Sequence, residues 1–206
     1  MLIVVGGHSR NIGKTSVAAG IIAAIPEAQW TAVKITQYGH GVCTENSTSC
    51  DCAPAAALHP YSLDAELPPG SDTDSGRFLR AGAHQSLWLR TAVGQLGAAI
   101  APLRSILESN RNVILESNSV LQFVRPDLFI VVMDFTVADM KDSTRRFLDR
   151  ADAFVLIDHG ATEPRWGGVP ARWFAGKPKF WVRPPDYVDE AMVTLIRTRM
   201  ELLCAD

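Results

Sequence analysis

Between Gly6 and Ser16 the chain reads Gly-Gly-His-Ser-Arg-Asn-Ile-Gly-Lys-Thr-Ser, after the apolar run Leu2-Ile3-Val4-Val5 and before a stretch of helical spacing. A glycine-bearing loop that joins a strand to a helix and ends in Gly-Lys-Thr is built to hold phosphate, on backbone amides and the positive end of the helix. Gly13 lets the backbone approach closely, Lys14 reaches the β/γ-phosphates as a point charge, and the Thr15 hydroxyl completes a Mg²⁺ shell. The expected nucleotide-binding residues are therefore Gly7, His8, Ser9, Arg10, Asn11, Ile12, Gly13, Lys14, Thr15 and Ser16.

A magnesium–nucleotide site also needs a carboxylate at the end of an apolar strand, opposite the loop hydroxyl. Val113-Ile114-Leu115-Glu116 and Phe129-Ile130-Val131-Val132-Met133-Asp134 each end in one. Glu116 is the favoured metal partner of Thr15, because the polar loop Ser117–Ser119 follows it, and Asp134 is the runner-up. For the base, Asp158 after the apolar run Phe154–Ile157 can accept from a guanine, and Arg183-Pro184-Pro185-Asp186 can equally wall the ring. A second chemical cluster is Cys43-x6-Cys50-x-Cys52, with His40 or His59 near enough to add a ligand. Three thiolates and an imidazole suit Zn²⁺, three thiolates and another ligand suit an iron–sulfur cluster, and ordinary thiols in a loop are the plain alternative.

The elements that must position these groups are legible in the apolar pattern. Leu2–Val5, Thr31–Ile35, Ser86–Leu89, Val113–Leu115, Leu128–Met133, Ala153–Ile157 and Phe180–Val182 are short apolar runs with little alternation, as strands buried on both faces read. Helical spacing occupies Thr15–Ile25, Val93–Ser109, Lys141–Arg150 and Asp186–Leu203. This alternation predicts a single-domain α/β fold over residues 1–206, a mostly parallel sheet of seven strands flanked by helices. Residues 40–76 break the rhythm and read as an irregular insertion that carries the cysteines. The chain has 206 residues, is 47% apolar and has net charge −2, which argues against a broad nucleic-acid or membrane footprint. No apolar stretch approaches a membrane span and no secretory leader is evident, so a cytoplasmic protein is expected.

With five residues between Gly7 and Gly13, the loop resembles that of dethiobiotin synthetase and related amidoligases, which belong to the same broad P-loop class as the MobB-type proteins of molybdenum cofactor maturation. Ala32-Val33-Lys34-Ile35, followed by Thr36, Tyr38, His40 and Gly41, then Ser71–Phe78 and Arg80-Ala81-Gly82-Ala83, looks like the MobB-type arrangement. The resemblance covers roughly the first 90 residues. Ile35 departs from the ligase pattern, and Ser117-Asn118-Ser119 departs from the glycine that both families place after their acidic residue. The resemblance implies a P-loop NTPase with Lys14, Lys34 and Glu116 as its catalytic groups, using GTP in the MobB-type case and ATP in the ligase case. Three functions follow as alternatives: an accessory protein in cofactor or metal-centre maturation, an ATP-dependent ligase or kinase acting on a small molecule, and a metal sensor with a vestigial P-loop. The candidate partners are a nucleotide, a protein of cofactor maturation and a second copy of the chain.

Overall fold

The computed structural model describes residues 1–38, 60–70 and 72–205. Its strands are β1 (Leu2–Gly7), β2 (Thr31–Tyr38), β3 (Tyr61–Ala65), β4 (Gln85–Ala92), β5 (Val113–Glu116), β6 (Leu128–Asp134), β7 (Ala153–Ile157) and β8 (Lys179–Val182). They form one eight-stranded sheet in the order β3-β4-β2-β5-β1-β6-β7-β8. All neighbours are parallel except the edge strand β3, which pairs antiparallel with β4. The helices are α1 (Lys14–Ala24), α2 (Asp74–Arg80), α3 (Ile100–Ser109), α4 (Asp142–Phe147) and α5 (Glu190–Ala205).

Burial on both faces explains the unalternating strands. In β6, Leu128, Ile130 and Val132 point into a cluster shared with α1 and α5, whereas Phe129, Val131 and Met133 point into the opposite cluster with Leu103 and Leu148. Every second residue thus meets a different helical layer, and each buried aliphatic side chain contributes about 1.5–3 kcal/mol. Helix α1 lies over the sheet on Val17, Ala18, Ile21 and Ile22 and stops before Pro26, because the residue preceding a proline is held out of the helical region.

The sheet has one strand more than the sequence pattern predicts. The extra strand is β3, inside the stretch expected to be irregular, and its second half is solvent-exposed. An edge strand with one wet face carries no continuous apolar run, so its signal is weak. Helix α2 also begins within that stretch, with Thr73 Oγ1 accepting from Gly76 N at 3.1 Å as its N-cap. The expected helix at Val93–Ser109 starts later, as a 3₁₀ turn over Leu96–Ala99 leading into α3.

Register sets up the site. In parallel pairing, Glu116 lies opposite both Val5 of β1 and Lys34 of β2. Both charged side chains therefore emerge from neighbouring strands at the end of the sheet where β1 hands over to the P-loop. Ligands of open α/β sheets bind outside the carboxyl ends of the strands.

Candidate nucleotide-binding site

The loop between β1 and α1 is shaped by two glycines. Gly13 has φ +88°, a left-handed conformation that L side chains rarely adopt, and a Cβ there would sit 2.9 Å from the Tyr187 ring. At Gly7 a Cβ would meet the Lys14 stem at 2.7 Å, so the missing side chain is what lets Lys14 fold back over the loop. Its ammonium donates to Ser9 O at 2.8 Å. Helix α1 has no side-chain cap and no acidic residue in its first turn. The first helical amides and the positive helix end are thus left for an anion.

Around this cradle a polar network connects four elements. Thr15 Oγ1 donates to Glu116 Oε2 at 2.7 Å, while Lys34 Nζ lies 2.6 Å from both Glu116 Oε1 and Asp74 Oδ2 and 3.5 Å from Thr15 Oγ1. Arg77, one turn along α2 from Asp74, donates to Ser16 Oγ at 2.8 Å. Thr15, Glu116 and Asp74 offer hydroxyl and carboxylate oxygens close together, the hard donors that Mg²⁺ takes. Burial pushes Lys14 down to about 8, with Lys34 and Arg10 acting in the same direction against the pull of Glu116 and Asp74. For Lys34, burial also acts downward, yet Glu116 and Asp74 more than offset it and the net shift is upward. Asp74 is held below its usual range by Lys34, despite its burial.

These groups line a cavity of about 470 Å³. Of the loop residues expected to bind nucleotide, Arg10, Asn11, Ile12, Gly13, Lys14, Thr15 and Ser16 face it. His8 does not. Its ring is buried against Trp166, with centroids 4.5 Å apart, and accepts at Nδ1 from Asp134 N at 3.4 Å while Nε2 faces Val137 O at 3.2 Å. Burial holds the ring below its usual pKa and hence neutral. Ser9 turns away likewise, donating to Asp139 Oδ2 at 2.6 Å. Asp134 accepts from both the amide and the hydroxyl of Thr136 and pairs with His159 at 3.0 Å, serving the loop after β6. Asp158 lies off the cavity lining, with one oxygen on Gly160 N and the other 2.6 Å from Arg183 Nη2. Cys43, Cys50, Cys52, His40 and His59 lie outside the described residues.

Two residues of the site have no signature in the sequence. Asn118 clasps the loop at Gly7, accepting from its amide and donating to its carbonyl, each at 2.9 Å, and also donates to Thr144 Oγ1 at 2.8 Å. Lys141 N donates to His8 O at 2.8 Å, and its side chain lines the cavity. Burial pushes Lys141 down to about 7, reinforced by Lys14, Arg10 and Lys34. Both belong to loops far from residues 6–16 in sequence, and only the parallel sheet brings them to the phosphate loop.

No protein-family model and no curated protein matches the chain. Among solved structures it is similar to an "apo" form of LpxK from Aquifex aeolicus in complex with ATP, with 15% identity and TM-score 0.50, over 87% of this chain and 53% of that one. HypB from Helicobacter pylori in complex with nickel is also similar, with 14% identity and TM-score 0.49, over 98% of this chain and 88% of that one. The chain thus spans about half the length of the LpxK chain. The likeness to LpxK is one of fold. This chain has a P-loop NTPase fold, an α/β sheet with its phosphate loop between β1 and α1. No helix among the described residues is long and apolar enough to cross a membrane.

Proposed function

We propose that this protein binds a magnesium nucleoside triphosphate and cleaves or transfers its terminal phosphoryl group. The observation that carries this reading is the convergence of Lys14, Thr15, Lys34, Asp74 and Glu116, from two strands and two helices, on the mouth of one phosphate loop. Chemistry at such a site is positioning and charge stabilisation. Backbone amides of the loop and α1 orient the phosphates, while Lys14 and Lys34 place cations where negative charge accumulates. Thr15, Glu116 and Asp74 are the residues that would hold Mg²⁺, which would supply positive charge to offset that of the phosphates. Glu116 also keeps Thr15 and Lys34 in register through its two oxygens.

The test is phosphate release from ATP and from GTP, with and without Mg²⁺, in the wild type and in Glu116→Gln. Metal-dependent release that falls by about 10²–10³ in the variant supports the reading, and the two nucleotides rank its base preference. Metal-independent release, or release unchanged by Glu116→Gln, opposes it.

The finer reading is of a cytoplasmic accessory protein in cofactor or metal-centre maturation. One observation favours it: Thr36 and Gln37, near the end of β2, line the cavity, and Cys43 follows Gln37 by six residues in the sequence. Nucleotide state and metal on Cys43, Cys50 and Cys52 are then coupled across a few residues of chain. Zinc or iron content that drops in Cys50→Ser and changes affinity when a non-hydrolysable triphosphate is added supports this reading. Equal metal affinity in both nucleotide states removes the coupling.

A further inference from the structure

Lys141 is a cation that the phosphate-loop chemistry leaves without a task. Its backbone is tied to the loop at His8 O, and its ammonium makes no hydrogen bond or ion pair among the described residues. Asp139, the carboxylate that attracts it, is held at 2.6 Å by the Ser9 hydroxyl. Arg10, Lys14, Lys34, Arg77 and Lys141 line the cavity against only Asp74 and Glu116, a formal excess of three positive charges among the described residues when every group is ionised. A magnesium nucleoside triphosphate brings roughly two net negative charges, so about one positive charge stays unneutralised after it binds. Crowding of like charges makes a buried ammonium costly until an anion joins it. Hydroxyl donors stand on the same lining: Ser119 Oγ, 3.1 Å from Ser117 Oγ, and Ser143 Oγ, 3.5 Å from Asn118 Nδ2.

We propose that Lys141, with Arg10 and the hydroxyls of Ser119 and Ser143, forms a second anion subsite that holds the carboxylate or phosphate group of a small-molecule second substrate alongside the nucleotide. It rests on the reading above for the nucleotide's place and adds the class of its co-substrate, an oxyanion-bearing small molecule. Lys14 serves the nucleotide phosphates, and Lys141 serves the acceptor.

The test is calorimetric titration of inorganic phosphate, and separately of acetate, into the full chain saturated with Mg²⁺ and a non-hydrolysable triphosphate. The two probes separate a phosphate from a carboxylate acceptor. Binding of either anion is expected to weaken about tenfold or more in Lys141→Met and to return within about threefold in Lys141→Arg, because a charge-assisted hydrogen bond is lost and regained. Triphosphate affinity is expected to fall less than anion affinity in Lys141→Met, because the lost charge is shared across the cavity, and an unchanged far-ultraviolet circular dichroism spectrum reports that both variants are folded. Failure of both anions to bind the loaded wild type overturns the proposal. So does a loss in Lys141→Met of about tenfold or more for the triphosphate but not the diphosphate, which assigns Lys141 to the terminal phosphate instead. If the wild type does not bind triphosphate, the nucleotide reading falls by itself. The same anions are then titrated into Lys14→Ala protein, where binding that Lys141→Met abolishes upholds the subsite and no binding overturns it.

Discussion

Replacing Asn118 with leucine tests how the phosphate loop is held. The substitution keeps side-chain bulk and removes four hydrogen bonds, to Gly7 N, Gly7 O, Thr144 Oγ1 and, at a long 3.5 Å, Ser143 Oγ. The losses are unequal. Gly7 O keeps the Thr144 hydroxyl as donor at 2.8 Å, whereas Gly7 N has no second partner among the described residues and faces a hydrocarbon. An orphaned amide costs about 1–3 kcal/mol and each of the two other close bonds about 0.5–1.5 kcal/mol, so Asn118→Leu is expected to destabilise by about 2–6 kcal/mol, with the long Ser143 contact adding little. Asn118→Asp keeps an acceptor for Gly7 N and is expected to cost about half as much. Its added negative charge beside the loop should nonetheless weaken triphosphate binding more than leucine does. Equilibrium urea unfolding with m-value comparison measures the first effect, and calorimetric titration the second. A loss below about 0.5 kcal/mol in Asn118→Leu would refute the reasoning, as would an aspartate variant no more stable than the leucine one.

Other outcomes follow from the same geometry. Lys14 at about 8 must gain a proton when it pairs with phosphate, so triphosphate affinity should be flat below pH 8 and fall by up to about tenfold per pH unit above it. Calorimetry in buffers of different ionisation heat should show proton uptake near pH 8 that Lys14→Met removes. In the ligand-free protein the unfolded state holds the Lys14 proton up to its ordinary 10.5, so stability should rise between pH 8 and 10.5, which chemical unfolding would measure. His8, held neutral by burial, binds its proton more readily when unfolded. Stability should therefore fall as pH drops below 6.5, and less so in His8→Gln when both are compared by thermal unfolding. Gly13→Ala forces a side chain into left-handed backbone and onto Tyr187, and should cost about 1–2 kcal/mol or more in the same assay.

What the sequence discloses depends on how local the cause is. The phosphate loop is legible because its glycines, Lys14 and Thr15 act within one strand–turn–helix unit. The seven core strands are legible because two helical layers demand apolar residues on both faces. Strand β3 escapes notice because an exposed edge demands little of Tyr61–Ala65. Asn118 and Lys141 are ordinary loop residues until the sheet brings them to Gly7 and His8, across more than a hundred positions of chain. His8 shows the opposite effect: its place inside the loop suggests phosphate contact, but the local turn directs its ring into the core beside Trp166. Lys34 is pointed out by resemblance, and register with Glu116 gives its physical reason.

The most direct measurement for the account is calorimetric titration of a non-hydrolysable triphosphate with Mg²⁺ into the wild type and Lys14→Ala. One equivalent bound by the wild type, with affinity reduced about a hundredfold or more in the variant, is the predicted result, since Lys14 supplies a charge-assisted contact from within the phosphate loop. Equal affinity in the two proteins, or no binding by either, would contradict it.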